Sequence, residues 1–140
     1  MASRRKSREL ALQMLFQREV GKHSTEHVLT TFLEEKNLEP SVREFARRLF
    51  EGTVGEIATL DAAIRDQAEH WRLERMAAVD RNLLRMALYE LLHFPETPAA
   101  VVINEALELA RRYSGADSVE FVNGVLDALR KDIETLKARV

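Results

Sequence analysis

Three stretches of the C-terminal half share one composition: Asp80-Arg-Asn-Leu-Leu-Arg-Met-Ala-Leu-Tyr-Glu-Leu-Leu92, Val102-Ile-Asn-Glu-Ala-Leu-Glu-Leu-Ala110 and Phe121-Val-Asn-Gly-Val-Leu-Asp127. Each spaces apolar residues three and four apart, as one face of a helix requires. Each also sets polar groups among them: Arg85, Glu90, Asn104, Glu105 and Asn123. Burying such a group without a partner costs roughly 2–7 kcal/mol, so these groups must meet one another or face a ligand. Two-residue alternation is scarce, and with three prolines and five glycines most of the chain is free to be helical.

Helical patterns can be followed along the whole length. A first helix is predicted from about Ser3 to Val20, with Leu10, Met14 and Leu15 on one face and Gly21 ending it. A second runs from about Thr25 to Lys36 and buries Val28, Leu29, Phe32 and Leu33. Pro40 and Ser41 open a third, in which Ser41 and Glu44 have capping-box spacing. It continues as one long helix through Phe45, Leu49, Val54, Ile57, Leu60 and Ile64. Gly52 and Gly55 inside it each cost about 1 kcal/mol relative to alanine, which a close helix neighbour or a kink would explain. The pattern blurs between Trp71 and Ala78, read as a short helix or a turn. A helix from Asp80, its candidate N-cap, to Phe94 is followed by Pro95 and Pro98, then by a helix over about Ala99 to Tyr113. After a break at Ser114-Gly-Ala116, Asp117 or Ser118 caps a last long helix to about Leu136. The expectation is an all-α chain of six or seven helices forming a single domain over residues 1–140.

Composition narrows the function classes. With 46% hydrophobic and 31% charged residues the chain is globular rather than disordered. The absence of cysteine removes disulfide and thiol chemistry and fits a reducing cytoplasm. No apolar run approaches the roughly 18–20 residues that span a bilayer. The basic N-terminus lacks the apolar stretch of an export signal, so a cytoplasmic protein is expected.

His23-Ser-Thr-Glu-His27 has the form H-x-x-E-H of one class of zinc protease. That chemistry needs both histidines on one continuous helical turn, whereas Ser24 and Thr25 read as the start of a helix, so the match is taken as coincidence. His70 and His93 have no ligand-like spacing. No phosphate loop, nucleophile elbow or marked carboxylate pair is present; neither an enzyme, a metal nor a cofactor is expected.

Net charge is −2, yet Arg4, Arg5, Lys6 and Arg8 cluster at the start with only Glu9 to offset them. Such a run is either a solvated tail or a contact for phosphates. In a helix Arg4 and Arg8 share a face, and Gln13 and Phe16 follow further along. Cations followed by an aromatic suit single-stranded RNA, although Phe16 also reads as core. A helix beginning near Asp117 offers backbone N–H groups to an anion, but Asp117 itself repels one. Gly124 reads as a close packing position, Asn123 as a partner for nearby backbone, and Arg85 with Glu105 as a buried inter-helix pair.

Taken in order, these motifs resemble the NusB family of bacterial transcription antitermination factors over about Arg4 to Leu129. The parts are the basic start into Arg8-Glu-Leu-Ala-Leu-Gln13, the helix Leu84 to Leu91, Ile103-Asn-Glu-Ala-Leu-Glu-Leu109, and Asp117-Ser-x-x-Phe-Val-Asn-Gly-Val-Leu-Asp127. The resemblance implies two packed helical subdomains. It implies binding to the boxA element of ribosomal RNA operon leaders together with NusE, a small-subunit ribosomal protein, in a complex with NusA, NusG and RNA polymerase. By the same resemblance the RNA-facing positions are Arg4, Arg5, Lys6, Arg8 and Phe16, then Arg85, Tyr113, Asp117, Ser118 and Phe121, with Asp80 at the NusE interface. Glu120 and the Ser114-Gly-Ala loop depart from the family pattern. Some members are dimeric, so monomer and homodimer both stay open. The alternatives are a protein-only interaction module and the NusB-like domain that precedes a methyltransferase in some RNA-modifying enzymes. The latter needs a longer parent, whereas Met1 to Val140 reads as complete.

Overall fold

Helix formation follows the apolar periodicity, and helix ends follow local chemistry. The computed structural model describes residues 2–34, 37–68 and 73–139, and these are all-α, with no strand among them. The chain divides into two compact units, Met1–Gly55 and Glu56–Val140.

In the first unit, α1 (Ala2–Glu19) lies against α3 (Pro40–Gly55), with α2 (Thr25–Leu29) continuing into a wider π-helical turn, Thr30–Glu34. Leu10, Met14 and Leu15 are buried as predicted, and so are Ala11, Leu12, Ser7 and Arg8, so α1 is covered on more than one face. Phe45, Ala46, Leu49 and Phe50 supply the buried side of α3. The Ser7 hydroxyl donates to the Val42 carbonyl at 3.0 Å, which satisfies a buried polar group and ties α1 to the start of α3. Gly21 follows α1 because a Cβ there would come within 2.7 Å of the Gln17 carbonyl oxygen. The left-handed residue is its neighbour Lys22, at φ 56°. Ser24 caps α2 by accepting from the His27 N–H at 3.1 Å, so His23 lies ahead of the helix, its ring tilted over that of His27. Pro40 takes the first helical position of α3, where its missing N–H is harmless, which puts Ser41 inside the helix rather than at a capping box.

The long third helix expected from the sequence is two helices. It stops at Gly55 and resumes as α4 (Ile57–Gln67) after Glu56, whose φ of −121° is not helical. Val54 and Ile57, on either side of that interruption, are only half-buried. Among the described residues nothing lies within 4 Å of where a Cβ would stand at Gly55 or Gly124, so neither glycine serves close packing against them.

The second unit is built around α5 (Ala78–His93), which is buried along nearly its whole length. It packs against α4, α6 (Ala99–Tyr113), α7 (Ala116–Lys131) and α8 (Ile133–Arg139). Leu60, Ile64, Leu83, Leu84, Leu88, Leu109, Val122 and Leu126 are all at most 3% exposed and form its core. The predicted last helix is likewise divided, at Asp132, into α7 and α8. A 3-10 turn, Leu73–Arg75, precedes α5; Trp71 and His70, also named above, lie outside the described residues, as does Lys36. Tyr89 and His93 stack in the last turn of α5, where His93 Nε2 lies 2.9 Å from Glu56 Oε1.

Candidate nucleic-acid and partner interface

The sequence-predicted residues fall into one group in each unit. In the first, Arg4, Arg5 and Lys6 are exposed on the opening turns of α1, whereas Arg8 is 4% exposed. The Arg4 guanidinium stacks over the Phe45 ring at 3.9 Å, and that of Arg8 lies over the same ring at 5.5 Å. Phe45 thus orients two arginines through cation–π contact and apolar cover, a role the sequence did not signal because its periodicity marks Phe45 only as core. Lys6 pairs loosely with Glu9, 3.8 Å away on the same face. Phe16 is half-buried, so its ring is neither lost in the core nor free of it.

In the second unit, Asp80, Asp117, Ser118 and Phe121 meet at one pocket. The helix starts differ from expectation. α5 begins at Ala78, with Ala77 at its N-cap, and α7 begins at Ala116, with Gly115 at its N-cap. Neither cap residue offers a side-chain hydrogen bond. Asp80, Asp117 and Ser118 therefore sit within first turns, and the Ser118 and Asp80 side chains bond to each other across elements instead of capping their own helices. Gly115 permits this arrangement: its φ of 137° is open to glycine and strained for other residues. Its N–H closes α6 on the Ala110 carbonyl at 2.9 Å.

The Ser118 hydroxyl donates to Asp80 Oδ2 at 2.8 Å, and Ser114 lies 2.8 Å from Ser118. Ser118 has one proton and gives it to the carboxylate, so Ser114 donates to Ser118. Serine from the end of α6 and serine from the start of α7 thus converge on a carboxylate at the start of α5. Arg75, Met76 and Ala77 form the opposite wall of the pocket. Arg81 holds that wall, donating to the Leu73 and Met76 carbonyls at 3.1 and 2.9 Å. Arg75, Met76 and Arg81 were missed by sequence reasoning. For Arg75 and Met76 the only signal was the loss of helical period between Trp71 and Ala78, and Arg81 gave none within the helix predicted from Asp80.

Arg85 and Tyr113 differ in kind from this cluster. Tyr113 is 40% exposed at the end of α6. Arg85 is 7% exposed and grips Asp61 with both prongs, at 2.7 and 2.9 Å, while a third donor reaches Asn82 at 3.0 Å. The bidentate fork fixes α5 on α4. Among the described residues no group of three His, Cys, Asp or Glu is placed to hold a metal, and no helix is long and apolar enough to cross a membrane.

Comparison with known proteins agrees with this architecture. The model of the NusB family matches residues 5–131. The transcription antitermination protein NusB of Koribacter versatilis is 56% identical over 133 residues, covering 94% of this chain and 91% of its own. The structure of NusB from T. maritima superposes with a TM-score of 0.87 at 37% identity, covering 98% of this chain and 97% of that one. A structure of antitermination factors NusB and NusE in complex with double-stranded RNA superposes at 0.84 with 27% identity, covering 94% of this chain and 98% of that one. With its helix order, its basic first turns and a family match over most of its length, this chain belongs to the NusB family.

Proposed function

We propose that this chain is a cytoplasmic, non-enzymatic transcription antitermination factor, an adaptor that binds boxA RNA of ribosomal RNA operon leaders together with NusE. In that role it joins NusA, NusG and RNA polymerase and helps the polymerase read through terminators. The observation that carries the reading is the row of exposed cations Arg4, Arg5 and Lys6 on α1 of a NusB-family chain. The superposition on a NusB bound to NusE and RNA adds to it.

Phosphates are assigned to Arg4, Arg5 and Lys6, and a base to Phe16. Arg8 contributes by holding Phe45 and the first turns of α1 in place. Tyr113, Asp117, Ser118 and Phe121 form the second RNA-facing group, and the buried Arg85 acts through the seating of α5. Asp80 marks the end of α5 where NusE docks. The two units together constitute one NusB-like domain over 1–140.

Fluorescence anisotropy of a labelled boxA RNA, with a scrambled RNA of equal length and with or without NusE, tests this. Preferential boxA binding that tightens with NusE is the expected result. Replacing Arg4, Arg5 and Lys6 by alanine lowers the affinity about tenfold or more while helical content is retained and melting falls only slightly, through loss of the Arg4 contact with Phe45. Equal, weak binding of both RNAs, indifferent to NusE, would instead favour a protein-only module or homodimer.

A further inference from the structure

The start of α1 is electrostatically unfavourable as a helix. Arg4, Arg5, Lys6 and Arg8 lie in its opening turns, and its first turn holds no acidic residue. Cations at a helix N-terminus oppose the helix dipole, and like charges four residues apart, as Arg4 and Arg8 are, repel along one face. An end of that kind frays unless another element holds it. Here α3 holds it in two ways. The Ser7 hydroxyl donates to the Val42 carbonyl at 3.0 Å, and the Arg4 and Arg8 guanidiniums lie over the Phe45 ring at 3.9 and 5.5 Å.

The two contacts differ in what they can do. The Ser7 bond ties the first turns of α1 to α3 but leaves the arginine heads unplaced. The ring acts on the heads themselves, because its face attracts a guanidinium. Phe45 is 3% exposed, so its own position is fixed by the packing around it. A carboxylate in its place would neutralise the arginines and compete with a phosphate for their N–H groups. A neutral ring holds them and leaves their charge intact. A guanidinium bound through its face also keeps its in-plane N–H donors for an oxyanion, and Arg4 is exposed to one. Cations ordered in advance lose less freedom when the ligand arrives, which raises affinity.

We propose that Phe45 is a positioning residue for RNA: its ring seats Arg4, with Arg8 beside it, so that the cations of α1 are in place before a phosphate arrives. The proposal rests on the reading above that Arg4 meets RNA phosphate. A double-mutant cycle of Arg4→Ala and Phe45→Leu tests it, with boxA affinity read by fluorescence anisotropy at a temperature where circular dichroism shows every variant folded. Leucine keeps apolar bulk and removes the π-face. Phe45→Leu should lower boxA affinity about fivefold, and Phe45→Tyr, which restores the ring, should recover it. In the Arg4→Ala background the same change should cost about twofold or less, because the ring acts through the arginine. Affinity for NusE without RNA should hold in all of them. Wild-type boxA affinity of Phe45→Leu overturns this inference alone. So does a loss that persists in full in the Arg4→Ala background, resists Phe45→Tyr or extends to NusE, each of which makes Phe45 a core residue only. Wild-type protein that binds boxA no better than a scrambled RNA overturns the RNA reading and this inference with it.

Discussion

Thr53 is wholly buried inside α3, and its hydroxyl has no hydrogen-bond partner among the described residues. An unsatisfied buried hydroxyl costs about 1–3 kcal/mol, and valine has the same shape without it. Thr53→Val should therefore raise stability by about 1 kcal/mol, seen as a higher urea midpoint at unchanged slope. Gly115 carries the opposite expectation. At φ 137° and ψ 177° it occupies a region essentially closed to other residues, so Gly115→Ala should cost about 1–3 kcal/mol and loosen the Ser114–Ser118–Asp80 relay. A melt that is unchanged in that variant would show that the α6–α7 turn has another conformation within reach. The sequence marks both sites poorly. Thr53 stands in an apolar helix like any threonine, and a glycine in a break says nothing of its own φ until the flanking helices have docked.

At the scale of elements, α5 shows what periodicity can and cannot specify. Its apolar run announces a buried helix, and its polar members announce that partners exist. The partner of Arg85 is Asp61 on α4, 24 residues away, in a segment the sequence reading passed over as part of one long helix. Removing one member of such a pair strands a buried charge, so Asp61→Ala should lose about 3–5 kcal/mol in chemical denaturation. The double variant Asp61→Leu/Arg85→Met should recover most of that loss, because the charge is removed along with its partner. A loss no smaller in the double variant than in the single would mean that the fork has a role beyond neutralisation. Helix starts follow the same logic. Asp80 and Asp117 look like caps because such residues often are, but here α5 and α7 begin two and one residues earlier, at Ala78 and Ala116, and the carboxylates face the pocket.

For the molecule as a whole, charge distribution matters more than net charge. With Arg4, Arg5 and Lys6 as the exposed cations of α1, log affinity for single-stranded RNA should fall against log salt with a slope of about −2. A slope several units steeper would require cations beyond this row, and the Arg4, Arg5 and Lys6 triple alanine variant should flatten it. The all-α state, the bounds of α6, the buried stripes of α1 and α5 and the cationic start were legible in the residues, because each depends on neighbours within a turn or two. The division of the third and last helices was not, since a stripe passes through one irregular residue, such as Glu56 or Asp132, with little trace. Nor was the candidate pocket. Its pairing of Ser118 with Asp80 joins positions 38 apart, and its far wall comes from a segment without period. Local sequence thus determined which segments become helices and which faces they bury, through steric and hydrophobic terms that act along the chain. Tertiary structure decided which polar groups meet, because a hydrogen bond needs its partner within about 3 Å and at the right angle, a condition that exists only once the helices have packed.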